Sequence, residues 1–173
     1  DGDHVSPYTK SAGNLDAQVF VLLQDWSSTE FLERPLDEEV CALGLKPNLR
    51  TNVTLSAMLE RHLGLALRDC YATNLFPFVK PGRLDASIPF ADMIRAAETF
   101  ALPQIDIVQP KLVICLGLLT FQALQRGVGI RVATHMETAI ASPFERAGAT
   151  VWAQAHTGQQ GQNMRNRGDV ERT

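Results

Sequence analysis

The chain has 173 residues, of which 45% are hydrophobic, and this is enough for one domain with a substantial core but short for two. Its 16 lysines and arginines against 19 aspartates and glutamates give a net charge of -3, which argues against a histone-like or broadly polybasic binder. That balance does not exclude a nucleic-acid enzyme, because a local basic rim can hold phosphates on a mildly acidic body.

The cysteines and the hydropathy pattern favour a reducing compartment. Cys41, Cys70 and Cys115 are far apart, and the last two lie inside apolar runs, so we interpret those two as small buried hydrophobes. No apolar stretch is long enough to span a bilayer and no signal-peptide pattern opens the chain. A cytoplasmic monomer is therefore expected.

The first strand is predicted at residues 18–24, after an irregular lead-in over residues 1–17. Its continuous apolar run is typical of a strand that is buried on both faces of a parallel sheet. Residues 27–50 are rich in charge, proline and glycine, and they are predicted to form a long loop with a short helical turn. Residues 18–173 as a whole are expected to form a single domain.

Two helices are predicted between the first and third strands. Asn52 or Thr54 caps the first helix, which runs to Leu63 and is followed by Gly64. The second helix spans about residues 89–101, where apolar side chains recur on one face.

The second and third strands are predicted at residues 68–74 and 111–117. Residues 76–83 contain two prolines and are predicted to be a loop. Gly117 ends the third strand and opens another helix. A fourth strand at residues 150–156 completes a pattern in which strands and helices alternate, and this pattern predicts a doubly wound, mostly parallel α/β fold.

The last third of the chain holds two further segments. Residues 127–148 are predicted to be an irregular return to the fourth strand, and residues 157–173 form a polar and basic tail.

Polar side chains follow three of the apolar runs and are predicted to meet at one edge of the sheet. These are Asp25, Asn74 and His156. Open α/β folds bind ligands at the carboxyl ends of parallel strands. A carboxylate, an amide and an imidazole at one crevice suggest chemistry on a small polar group, such as a base or an acyl group.

Each of these residues also has an ordinary structural interpretation. Asp25 could cap a turn, Asn74 could stabilise a turn through its own backbone, and a single histidine is usually a satisfied surface or core residue. In the functional interpretation Asp25 orients or deprotonates a water, Asn74 reads a ligand edge that has a donor and an acceptor, and His156 stabilises developing negative charge. Phe76 or Phe78 could stack on a planar ring.

Basic residues near this edge are candidates for contacts with phosphate groups. Arg165 and Arg167 lie in the tail, and Lys80 and Arg83 follow the second strand. A solvated surface charge is the alternative for each. The histidines show no metal-ligand spacing, so neither a metal nor another cofactor is proposed.

Taken in order, these segments resemble the uracil-DNA glycosylase superfamily over about residues 18–167. Gln24-Asp25 resembles the Gln-Asp of the water-activating motif, and Asn74 resembles the strand-end asparagine that recognises uracil. Residues 110–117 resemble the central strand with its glycine-led helix, and His156-Thr-Gly resembles the His-Pro-Ser motif.

The resemblance implies a three-layer α/β/α sandwich around a four-stranded, mostly parallel sheet, without a cofactor. It also implies DNA repair by base excision, in which the N-glycosidic bond of a flipped uracil or a related deaminated base is hydrolysed. Asp25 would position a water or stabilise the cationic sugar, and His156 would stabilise the departing base. Gln24, Asn74 and Phe76 would bind that base.

Several positions depart from the family pattern. Leu23 stands where the family has Gly, Trp26 and Ser27 replace Pro and Tyr, and Thr157 replaces Pro. The cysteines do not match the iron–sulfur ligands of the thermophilic branch. Two other functions therefore stay open: a nucleic-acid or nucleotide binding module of the same fold without turnover, and a hydrolase or transferase that acts on a small nucleoside or acyl substrate.

Overall fold

The computed structural model of the chain describes residues 8, 10–35 and 37–158. Five strands form one sheet; they are β1 (Val19–Ser28), β2 (Tyr71–Lys80), β3 (Leu112–Leu116), β4 (Phe144–Arg146) and β5 (Ala149–Gln154). Their order across the sheet is β2-β1-β3-β5-β4. All neighbours are parallel except β4, which pairs with β5 in the antiparallel direction.

Helices cover both faces of this sheet. They are α1 (Thr29–Leu32), α2 (Glu38–Leu43), α3 (Arg50–Leu63), α4 (Phe90–Ala96), α5 (Leu102–Val108), α6 (Leu118–Gly127) and α7 (Met136–Ala141). Helix α3 packs on one face, and α4 to α7 pack on the other. The predicted three-layer α/β/α sandwich is thus confirmed, with a fifth strand at the edge. Within the described residues, no helix has the length and apolar character to cross a membrane.

Alternate residues of β1 enter the two halves of the core. Phe20 and Leu22 pack with α4, α5 and α6, whereas Val21 and Leu23 pack against α3. Both faces of the strand are therefore buried, as the uninterrupted apolar run predicts.

Strand β2 is longer than predicted. Residues 76–80 continue the ladder with β1, so the loop predicted at residues 76–83 is wrong over this stretch. Pro77 is tolerated because β2 is an edge strand, where a missing N–H need not break a ladder hydrogen bond. The register also shifts opposite the segment between Asp25 and Ser27, which leaves one extra residue in β2.

The long loop predicted over residues 27–50 is also wrong in part, because β1 runs to Ser28 and two short helices follow it. Each helix has a side-chain cap that stabilises its start. The Ser28 hydroxyl accepts a hydrogen bond from the Phe31 N–H, and the Asp37 carboxylate accepts from the Glu39 and Val40 N–H groups.

Helix α3 begins earlier than predicted, with Leu49 as its N-cap and no side-chain cap. Asn52 lies one turn inside the helix. It is buried, accepts a hydrogen bond from the Tyr8 hydroxyl and donates one to the Lys46 carbonyl. Asn52 therefore ties the lead-in to α3. The predicted end is confirmed, since Gly64 follows with the left-handed backbone that a C-cap requires.

Two further predictions are wrong in part: one concerns the end of a helix, and the other concerns a segment that was expected to be irregular. The helix predicted to end near residue 101 continues to Val108 through a π-helical segment, Ala97–Ala101. This wider turn precedes Pro103, which has no N–H to donate to the preceding turn. The irregular return over residues 127–148 contains α7 and β4, which are too short to give a periodic pattern.

Candidate active site at the carboxyl edge of the sheet

The structure brings Asn74 and Asp25 to neighbouring strands. Leu23 pairs with Asn74, and Asp25 pairs with Phe76, in the parallel ladder between β1 and β2. Neither polar residue ends its strand, because both strands continue for several residues beyond the predicted limit. Their positions in the register differ by two residues, so the two side chains lie on the same face of the sheet.

Asn74 is almost completely buried, with 5% of the residue exposed. It stands beside Leu23, and Leu75 next to it enters the opposite half of the core. No side-chain hydrogen bond joins Asn74 to another described residue, and its amide is not among the fully buried polar atoms that lack a partner, so the amide keeps contact with solvent. An amide at an accessible edge can bind a ligand that supplies both a donor and an acceptor.

The carboxylate of Asp25 is held on both oxygens. Oδ2 lies 2.7 Å from Nζ of Lys80, and Oδ1 accepts a hydrogen bond of 3.3 Å from Nε2 of Gln24. The side chains of Asp25 and Lys80 are 16% and 5% exposed. A carboxylate oxygen can accept more than one hydrogen bond, so Asp25 still has capacity for a water.

Lys80 and Gln24 therefore take up positions that sequence motifs do not reveal. Gln24 turns its amide to Asp25. The buried ammonium of Lys80 is engaged by Asp25, and Asp25 is its only acidic partner in the described part of the chain. The predicted contact of Lys80 with DNA stays a prediction, and it would require the ammonium to leave this pair.

His156 lies two residues beyond β5, at the same edge as the end of β1. The backbone N–H of Gly158 donates a hydrogen bond of 3.0 Å to Nδ1 of His156. A nitrogen that accepts a hydrogen bond carries no proton, so the neutral imidazole has its proton on Nε2. This tautomer presents a donor, as stabilisation of a developing negative charge requires.

The loop that carries His156 is anchored to the start of α3. The buried Thr157 hydroxyl donates a hydrogen bond of 3.0 Å to the Thr51 carbonyl. A methyl group at Gly158 would lie 2.9 Å from Nδ1 of His156 and 3.0 Å from the Thr51 hydroxyl, so only glycine fits without displacement. Thr51 was missed in the sequence, where no pattern links α3 to the segment after β5.

Gly117 lies between the strand that carries Asp25 and the strand that leads to His156. It follows β3, the strand between β1 and β5, and its φ of 102° disfavours every residue with a side chain. A Cβ at this position would lie 3.9 Å from Cβ of His156, so the imidazole packs close to the Gly117 backbone. The strands β1 and β5 are two strand spacings, or about 10 Å, apart.

Aromatic rings line the outer side of this edge. Phe76 is half-buried opposite Asp25, and its ring meets Phe78 edge to face with 5.4 Å between centroids. Phe78 makes the same kind of contact with Phe100 and is 51% exposed. Phe76 is thus near the polar residues, whereas Phe78 faces outward.

The remaining basic candidates lie away from these contacts or outside the described residues. Arg83 is exposed and pairs with Asp85, whose hydrogen bond raises the pKa of the guanidinium. Arg165 and Arg167 fall in residues 159–173, which the description does not cover. Their predicted contacts with phosphate stay predictions.

Comparison with known proteins gives one family. The family model of the Uracil DNA glycosylase superfamily matches residues 27–171, which is most of the chain. The matched range includes Asn74 and His156, whereas Gln24 and Asp25 lie just before it. No curated protein matches the chain.

Proposed function

Because the chain belongs to the uracil-DNA glycosylase superfamily, we propose that it hydrolyses the N-glycosidic bond of a uracil, or a related deaminated base, that is flipped out of DNA. The observation that carries this proposal is the position of Asn74, which is 5% exposed, makes no side-chain hydrogen bond to another described residue and lies on the strand next to that of Asp25, two residues away in the register. Flipping is required because neither the bond nor the base edge can be reached in the stacked duplex.

Asn74 reads the base in this proposal. An amide offers a donor and an acceptor side by side, which complement the O4 carbonyl and the N3–H of uracil. The half-buried ring of Phe76 supplies a surface on which the base stacks. The absence of a side chain at Gly117 lets the His156 imidazole lie close to the end of β3, where it can reach the base.

Asp25 and His156 share the chemical step. The bond between C1′ and the base nitrogen breaks with its electrons on the base, which leaves positive charge on the sugar. The Asp25 carboxylate stabilises that charge and positions the water that adds to C1′. The Nε2–H of His156 donates to the base oxygen on which negative charge builds. The water loses one proton as it adds to C1′ and the departing base anion gains one, so the products are uracil and an abasic deoxyribose.

DNA is the proposed partner, and the protein acts on it as a monomer. Arg165 and Arg167 contact DNA phosphates in this proposal, as the basic tail predicts. Contacts of this kind hold the duplex without regard to sequence and leave recognition to the base pocket.

The test is incubation with a labelled oligonucleotide that contains one uracil, followed by alkaline cleavage of abasic sites. A matched oligonucleotide with thymine in place of uracil is the control. We expect cleavage at uracil in single-turnover conditions. Neither product nor binding at high protein excess would contradict the proposal and would favour a hydrolase or transferase with a small nucleoside or acyl substrate.

A second candidate function is a binding module of the same fold without turnover. The departures from the family pattern at Leu23, Trp26 and Thr157 favour it, because they replace residues of the water-activating and His-Pro-Ser motifs. The same assay separates the two functions. Tight binding of the uracil oligonucleotide with no abasic product would favour the binding module.

A further inference from the structure

The pairing of Lys80 with Asp25 joins the edge strand to the proposed catalytic carboxylate. Nζ of Lys80 lies 2.7 Å from Oδ2 of Asp25, and only 5% of the lysine side chain is exposed. A buried ammonium is stable only with a partner of opposite charge. Within the described residues Asp25 is that partner, so the cation and the carboxylate hold each other in place.

The register of the sheet brings Lys80 within reach of Asp25. The extra residue in β2 places Lys80 opposite Ser28, one residue closer to Asp25 along β1 than an uninterrupted ladder would. Gln24 holds the other carboxylate oxygen. Two donors from two different strands therefore restrict rotation of the carboxylate.

We propose that Lys80 is a positioning residue, which holds the carboxylate of Asp25 in the orientation required for cleavage of the glycosidic bond. This inference rests on the proposed function. Lys80 acts through Asp25 and touches neither the base nor the sugar. The inference also replaces a DNA contact as the main role of Lys80, because an ammonium engaged in a buried pair does not reach a phosphate.

A double-mutant cycle tests this role. Single-turnover rates on the uracil oligonucleotide are measured for the parent, Lys80→Met, Asp25→Asn and the double variant. Lys80→Met should slow the step by about 10- to 100-fold, the usual cost of removing a group that orients a catalytic residue. The double variant should match Asp25→Asn, because Lys80 has nothing left to orient. Independent losses that multiply in the double variant would overturn the inference.

Measurements of DNA binding distinguish a positioning role of Lys80 from a contact between Lys80 and a phosphate. Lys80→Met should leave the dissociation constant for uracil-containing DNA unchanged within about twofold, along with the dependence of that constant on salt concentration. A fall of about 1 in the slope of log K against log salt would identify a lost phosphate contact and overturn the inference. Lys111→Met is the matched control, since Lys111 is exposed and lies just before β3, at the amino ends of the parallel strands.

The charge itself is tested with Lys80→Arg. This variant keeps a cation that can pair with a carboxylate, so it should retain more of the rate than Lys80→Met. Equal losses in the two variants would overturn the inference. Thermal melting of every variant shows whether it folds. If Lys80→Met unfolds, the double variant, which removes both charges, is compared with Asp25→Asn alone.

Failure of the proposed function would give a different experimental result from failure of the Lys80 proposal alone. A parent protein that binds uracil-containing DNA but forms no abasic product would overturn both the glycosylase proposal and the role of Lys80 in it. A parent that is active, with losses at Lys80 and Asp25 that multiply, would overturn only the role of Lys80.

Discussion

The backbone N–H of Gly158 donates a hydrogen bond to Nδ1 of His156, and the two atoms are 3.0 Å apart. Because Nδ1 accepts this bond, the neutral imidazole has its proton on Nε2, and the glycine that donates the bond is tightly surrounded. A methyl group at Gly158 would lie 2.9 Å from Nδ1 and would push the ring from its place against Gly117. Through this bond the local chain favours the tautomer of His156 that has its proton on Nε2.

Gly158→Ala should therefore displace the imidazole and slow uracil excision by at least about tenfold, in line with the loss of one charge-stabilising donor. The measurement is the single-turnover rate on the uracil oligonucleotide. Gly127→Ala is the matched control, because it also adds a methyl group at a crowded site but lies at the far end of α6. A Gly158→Ala variant as fast as the parent would remove His156 from the chemical step.

Asp25→Asn should abolish turnover or slow it by on the order of 100-fold or more, while DNA affinity stays near that of the parent. The amide preserves the shape of the side chain but loses the negative charge. The rate and the dissociation constant are measured separately, at protein excess and with a non-cleavable substrate. Turnover equal to that of the parent would show that Asp25 is a structural residue of β1, and the catalytic case would then rest on His156.

Asn74→Asp should weaken recognition of uracil, because a carboxylate cannot donate a hydrogen bond to the O4 carbonyl. Cleavage of uracil should fall, and the ratio of cytosine to uracil cleavage should rise. The readout is competition between two labelled oligonucleotides that differ only in the target base. An unchanged ratio, with folding intact, would mean that Asn74 does not contact the base.

Arg165→Ala should lower affinity about equally for DNA of every sequence and reduce the salt slope by about 1, as expected for one lost phosphate contact. Fluorescence anisotropy with and without uracil at three salt concentrations gives both quantities. Arg131→Ala, at an exposed arginine between α6 and α7, is the control. A loss confined to uracil-containing DNA would assign Arg165 to base recognition instead.

Stability should fall in alkali because ionisable groups are buried in the core. Burial, with a smaller contribution from Asp69, raises the pKa of Cys70 from 9.0 to about 11. Burial also raises the pKa of Cys115 and of Tyr8. The unfolded chain loses these protons first, so the Cys70 contribution is complete below pH 9.0 and is lost as pH rises through about 11.

Urea midpoints measured from pH 8 to pH 11 check this prediction. Cys70→Ala removes the thiol, so its midpoint should fall less steeply between pH 9 and pH 11 than that of the parent. Equal slopes in the two proteins would show that the Cys70 thiol does not control alkaline stability.

The parts of the fold that local patterns determine could be predicted from the sequence. The apolar run of β1, Gly64 after α3 and Gly117 after β3 each carry a local signal, and each prediction is confirmed. The continuation of β2 through Pro77 could not be predicted, because a proline is read as a loop signal unless the edge position of its strand is known.

In the candidate site, too, local patterns predict some of the relationships between residues, and the packing of the fold determines the others. Alignment of strand ends in a parallel sheet predicts that Asp25, Asn74 and His156 share an edge, and their roles in catalysis stay predictions. The contact between Lys80 and Asp25 depends on an extra residue in the pairing of two strands, and the contact between Thr157 and Thr51 joins residues 106 positions apart. Neither leaves a pattern in a single sequence.

The proline and the extra residue in β2 also have a consequence for intermolecular association. An edge strand exposes backbone groups that can pair with a strand of another molecule and start a fibre. Pro77 removes one N–H from β2, and the bulge interrupts the regular ladder, while β4 at the other edge has only three residues. Neither border of the sheet therefore offers a long, regular template for aggregation.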